Sequence, residues 1–174
     1  MERIAFRTGC QASQPTNKRK DKAMYKKILF GTCLTDYCNH VFNFALNLAR
    51  ENGAKLWIYH GLGRLNQGEE AVKAAIEQAE KKMADAHVAL MRDSGFTDYA
   101  INVSDGDVVS EITTLARNAG IDAIVMGTST ETPLDTGKHT NTGSLGPKVA
   151  DTLLRAPCPV IIVPPALIPG LARG

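Results

Sequence analysis

The segment Asp122 to Met126 (DAIVM) is apolar at nearly every position. A strand with one wet face alternates apolar and polar residues, so a run without alternation needs cover on both faces. That requirement points to a parallel sheet held between helices. Lys27 to Thr32 (KILFGT), Lys55 to His60 (KLWIYH), Tyr99 to Val103 and Pro159 to Val163 read as four more short strands.

Helical segments separate them. Thr35 or Asp36 can cap the first, whose apolar face carries Val41, Phe42, Ala45, Leu46 and Ala49 and which Gly53 ends. A long helix is expected from Glu69 to Arg92, with Val72, Ala75, Ile76, Ala79, Met83, Ala86 and Leu90 forming one buried stripe at three- and four-residue steps. Asp107 starts a helix with Val108, Ile112, Leu115 and Ala116 inward, and Gly120 ends it; a last short helix runs near Val149 to Leu154.

The succession βαβαβαβαβ predicts a single α/β doubly wound domain: a five-stranded parallel sheet with right-handed crossovers and helices on both faces. With strand one central, strands two and three extend one way and strand four lies on the other side, giving the order 3-2-1-4-5. Ligands in such sheets bind at the C-terminal strand ends where the winding reverses. Here that crevice falls between Thr32-Cys33-Leu34 and Met126-Gly127-Thr128.

A loop rich in Gly and Thr, Gly127 to Lys148, starts at the crevice. Loops longer than about 12–15 residues are uncommon in compact domains unless they bind something or lack structure. Backbone amides of such loops, and the helix start that follows, are suited to phosphate. Lys138 and His139 are the basic groups expected to meet an anion there, or else they sit on a solvated loop tip. Ser144 and the amides from Gly143 to Gly146 serve either as phosphate ligands or as a helix cap, with Pro147 at the first helical position.

The 174 residues, 44% hydrophobic and 22% charged, fit one globular domain with a substantial core. Residues 1–23 hold six basic residues against Glu2 and Asp21, so removing their +4 from the chain's +2 leaves −2 for the remainder. A mildly acidic body does not carry a nucleic-acid footprint. The first 23 residues read as a disordered basic extension, 24–166 as the folded domain and 167–174 as a flexible tail. No apolar run approaches the ~20 residues of a membrane helix.

The four cysteines form no CxxC pair and the four histidines are scattered, so neither disulfides nor zinc is expected, and a cytoplasmic setting fits. Cys33 and Cys38 flank the start of the first helix, either as small buried hydrophobes or as thiols activated by the helix dipole. His60 reads as a packing and hydrogen-bonding residue, and Asp105 and Asp107 as turn and cap residues.

YKKILFGT at the opening, DAIVMGTS at the fourth strand end and APCPVIIV at the terminal strand, in that order over Met24 to about Pro165, resemble the universal stress proteins. The resemblance implies a small α/β dimer, paired through the terminal strand Pro159 to Val163, that acts as a stress sensor or regulator rather than an enzyme. Its nucleotide-binding branch carries Gly-x2-Gly-x9-Gly-Ser/Thr after the fourth strand. Gly127 matches the first position, whereas Thr130 stands where the second glycine belongs. The closing pair is Gly143-Ser144 with a three-residue insertion, or falls near Gly146-Pro147 when aligned backwards from APCPV.

ATP-binding relatives carry an aspartate at the end of strand one, where this chain has Cys33, with Asp36 three residues on. Gly61 replaces the usual valine at the adenine-contacting position, which implies a roomier or different pocket. The binding set implied is therefore Thr32, Cys33, Gly61, Met126, Gly127, Thr128, Thr130, Lys138, Gly143, Ser144 and Gly146. Its expected ligand is ATP or another adenine nucleotide with magnesium, or a related phosphate compound. The alternative is a dimer without nucleotide that acts through protein contacts. An ATP hydrolase or adenylate-forming ligase would need an SGG-type loop or a carboxylate pair, and TCLTD offers neither.

Overall fold

The computed structural model describes residues 23–128 and 145–164. Residues 1–22 of the expected extension, the tail, and Thr130, Lys138, His139, Gly143 and Ser144 lie outside the described residues. The elements run β1 (Lys27–Gly31), α1 (Asp36–Asn52), β2 (Lys55–Gly61), α2 (Glu69–Met83), a π-helical turn (Ala84–Val88), α3 (Ala89–Asp93), β3 (Tyr99–Ser104), α4 (Val108–Ala119), β4 (Ala123–Gly127), α5 (Pro147–Arg155) and β5 (Val160–Val163). All strand pairs are parallel and the sheet order is β3-β2-β1-β4-β5, as expected.

The two-residue period of β1 divides the core. Ile28 and Phe30 point to one face, where they pack with Val41, Phe42 and Ala45 of α1 and Met83 and Met91 beyond it. Leu29 points to the other, against Ile112 of α4, Ile124 of β4 and Val149 of α5. These three β1 residues are fully buried, which explains why the middle of that strand carries no polar residue. Asp122 ends up outside β4. Its carboxylate accepts the amides of Lys26 and Lys27 (2.7 and 2.9 Å), and its own amide donates to the Lys27 carbonyl (2.9 Å). It fixes the start of β4 beside the start of β1.

The helix expected over Glu69 to Arg92 is interrupted. Ala79, Met83, His87 and Met91 are the buried residues along it, whereas Leu90, placed on the buried stripe by the sequence reading, is 41% exposed. A π turn carries an extra residue, so the inward positions repeat every four residues through it and the face rotates from Leu90 to Met91. The first-helix cap also differs from expectation. Thr35 occupies the N-cap position without a capping bond, its hydroxyl lying 3.1 Å from Cys33 Sγ instead. Asp107 does cap α4, accepting from the Ser110 amide (2.9 Å), and the Ser110 hydroxyl and amide together hold its carboxyl below the usual range.

His87, at the π turn, has no accessible surface. Its ring stacks on Phe42 (centroids 4.3 Å apart) and meets Phe30 edge-on, Nε2 lies 3.4 Å from Thr32 Oγ1, and Nδ1 has no partner. Burial lowers its pKa from 6.5 to about 4. Above pH 6.5 both folded and unfolded chains carry a neutral imidazole and its packing contributes in full. As pH falls through the window from 6.5 to about 4, the unfolded chain takes up a proton that the folded chain refuses. Stability then drops by up to about 3 kcal/mol. Urea midpoints measured across this window should show that decline in the native chain and a flatter profile in His87→Leu; identical slopes would contradict it.

Candidate functional site

The reversal of winding between β1 and β4 leaves a cleft of about 140 Å³ at their C-terminal ends. Of the residues expected there, Thr32, Cys33, Gly61, Met126 and Gly127 line it. Thr128 and Gly146 do not line it but are joined beside it, the Gly146 amide donating to the Thr128 carbonyl (2.9 Å). That bond carries the chain into α5, whose N-cap is Gly146 and whose first turn begins with Pro147. Asp36 is exposed and does not line the cleft.

Seven further lining residues were not in the expected set: Gly31, Cys38, Val108 and Ile112, and the three polar ones His60, Lys148 and Tyr59. His60 Nδ1 donates to the Thr32 carbonyl (2.9 Å), which fixes the tautomer and leaves Nε2 as the acceptor. Lys148, in the first turn of α5, supplies a cation within the cleft wall, a basic group that the expected set did not include. Its signal in the sequence was its position directly after Pro147, where a helix begins. Tyr59 places its hydroxyl 2.9 Å from Ser104 Oγ, and burial raises its pKa.

Cys33 and Cys38 form a disulfide across the start of α1, which corrects the expectation that none would form. The five-residue separation is not a familiar motif, but the chain turns back between the end of β1 and the first turn of α1 and brings the Cα atoms to 6.2 Å. The Cys33 amide donates to Cys38 Sγ (3.1 Å). Both residues line the cleft, and neither offers the carboxylate that the family resemblance leads one to expect at this position.

The two glycines are occupied by packing. A Cβ on Gly127 would come 2.5 Å from the Tyr37 ring. Tyr37 leans from α1 over the end of β4; its hydroxyl donates to the Val163 carbonyl and accepts from the Thr128 amide (3.1 Å). A Cβ on Gly61 would meet the Tyr59 hydroxyl and Val108 at 2.8 Å. The extra room expected at Gly61 is therefore filled by those two side chains. Among the described residues no cluster of three His, Cys, Asp or Glu groups could hold a metal, and no helix is long and apolar enough to cross a membrane.

A doubly wound α/β domain with a cleft at its switch point is the class this geometry defines. Residues 24–164 match the Universal stress protein family, and the chain belongs to that family. Among solved structures, a universal stress protein in complex with cAMP is 23% identical with a TM-score of 0.56, the alignment covering 80% of this chain and 97% of that one. The universal stress protein from Archaeoglobus fulgidus in complex with dAMP is 21% identical with a TM-score of 0.57, covering 80% and 98%. One from Arabidopsis thaliana with AMP bound is 16% identical with a TM-score of 0.50, covering 84% and 98%. No curated protein matches in sequence.

If Gly127 is a glycine because Tyr37 covers it, Gly127→Ala should cost about 1–3 kcal/mol in urea unfolding through overpacking. In a Tyr37→Ala background the same substitution should cost close to nothing, a double-mutant coupling of that size. Equal cost in both backgrounds would show that Tyr37 is not the reason.

Proposed function

We infer that this protein binds an adenine nucleotide, or a related phosphate compound, in the cleft between β1 and β4, and that it works as a dimeric stress sensor or regulator rather than an enzyme. The observation that carries the reading is the cleft itself, which opens at the switch point with Lys148 and the first turn of α5 on one wall. A helix start and a lysine favour an anion. Thr32, His60 and Gly61 at the ends of β1 and β2 also line the cleft, where polar groups can orient a nucleoside. The relatives solved with cAMP, dAMP and AMP share this fold and support the ligand class. Magnesium accompanying a triphosphate would rely on phosphate oxygens and water, because no carboxylate lines the cleft among the described residues.

Dimerisation rests on β5. It is the sheet edge in the order β3-β2-β1-β4-β5, and Val160, Ile161 and Ile162 are only half-buried. An apolar edge strand of this kind needs cover. The Pro159 carbonyl accepts from the Ile124 amide, so residues 159, 161 and 163 turn their backbone toward β4, and 160 and 162 turn theirs outward. The reading retains a cytoplasmic setting, where a disulfide is exposed to cellular thiols.

A second reading, a dimer acting through protein contacts without nucleotide, is favoured by two observations. The disulfide stands where a carboxylate is expected, and Gly127 is accounted for by Tyr37 alone.

Native mass spectrometry of the purified chain decides between them. The expected result is a dimer carrying adenine nucleotide, retained on adding AMP or ATP, with Ile162→Pro running as monomer. A dimer that takes up no nucleotide supports the second reading, and a native chain that stays monomeric removes the β5 interface.

A further inference from the structure

The β1–α1 loop, residues 32–35, forms part of the cleft wall and is held in an uncommon shape. Leu34 has φ 58°, the only positive φ outside glycine among the described residues. A leucine there crowds its Cβ against the following carbonyl, and such a conformation persists only where its surroundings impose it. Two ties impose it here. The Leu34 amide donates to Thr32 Oγ1 (3.1 Å), and the Cys33–Cys38 disulfide closes the chain across the loop.

The two sulfurs differ in setting. Cys38 is 2% exposed and lies in the first turn of α1, where the helix dipole and the Cys33 amide at 3.1 Å both stabilise negative charge on Sγ. Cys33 is half-buried on the cleft wall. Attack by an outside thiolate therefore has an accessible sulfur, Cys33, and a stabilised leaving group, Cys38.

We propose that Cys33–Cys38 is a reversible thiol–disulfide site, opened by a dithiol reductant through the cleft, and that its oxidation state sets the cleft's affinity for ligand. The second half rests on the nucleotide reading above. In the forward step the reductant's thiolate bonds to Cys33 Sγ, the Cys33–Cys38 bond breaks, and its electron pair leaves on Cys38 Sγ, which takes a proton from water. The reductant's second thiolate then attacks its own sulfur in the mixed disulfide and releases Cys33 as thiolate, which is protonated in turn. Two electrons pass to the protein, and the dithiol becomes a disulfide. With the covalent tie gone, Leu34 relaxes from the left-handed region and the cleft wall loses its fixed shape. A ligand must then reorder the loop to bind, so the reduced form binds more weakly.

The test uses the full native chain in buffers of reduced and oxidised dithiothreitol, with N-ethylmaleimide labelling, peptide mapping and hydrogen exchange. Cys33 and Cys38 should take up label together without denaturant in the reduced chain, a sample reoxidised before labelling should take up none at either, and amides of residues 32–38 should exchange faster in the reduced form. With a nitrothiobenzoate disulfide probe, Cys33 in Cys38→Ser should react at least about tenfold faster than Cys38 in Cys33→Ser. AMP titrated by calorimetry should bind the reduced form about tenfold more weakly, equivalent to about 1.4 kcal/mol.

A pair reducible only after unfolding, or loop exchange equal in both forms, overturns the thiol site. Equal AMP affinity in both forms overturns the coupling. AMP binding to neither form, with the labelling and exchange results as expected, overturns the nucleotide reading and the coupling and leaves the thiol site supported.

Discussion

β1 pairs with β2 along one edge and with β4 along the other, and its side chains are buried on both faces. That double pairing forces the chain to wind in opposite directions on either side of the strand. The helices leaving β1 and β4 therefore go to opposite faces, and a cleft opens between the two strand ends. Each feature of the candidate site follows from this arrangement: the β1–α1 loop on one wall, the first turn of α5 on another, and the end of β2 beside them. Asp122 secures the register at the opposite end by taking both amides that precede β1.

Within the cleft, packing accounts for positions that the family motif reserves for ligand. Tyr37 spans α1, β4 and β5 through one hydroxyl, and it occupies the space that a glycine at 127 leaves open. Tyr59 and Val108 do the same at Gly61. The disulfide takes the place of a carboxylate at the end of β1. The chain thus keeps the frame of the universal stress fold and refits the cleft at its switch point, whose wall carries Lys148 and His60.

The sheet was legible because DAIVM is too short and too uniformly apolar to be anything but a strand covered on both faces, and PVIIV reads as a further short apolar strand. The helix ends were legible at Gly53 and Gly120, both left-handed as a C-cap requires. The π turn was not, although a histidine among apolar residues at four-residue spacing marked it. Periodicity arguments assume a constant 3.6-residue turn, and His87 lies where that assumption fails. The disulfide was missed for a related reason: sequence separation says little when a tight turn and a helix start fold the chain back on itself. Packing also gave Gly127 and Gly61 a role that a motif reading assigns to ligand, because the tyrosines concerned lie 90 and 2 residues away in sequence.

The most direct measurement of the central claim, that the switch-point cleft is the binding site, is an amide-resolved NMR titration of the labelled chain with AMP. The account predicts saturable shifts grouped at Thr32, Gly61, Gly127 and Lys148, with the β3 edge and the outer face of α2 unmoved. Shifts grouped elsewhere, or none at millimolar AMP, would contradict it.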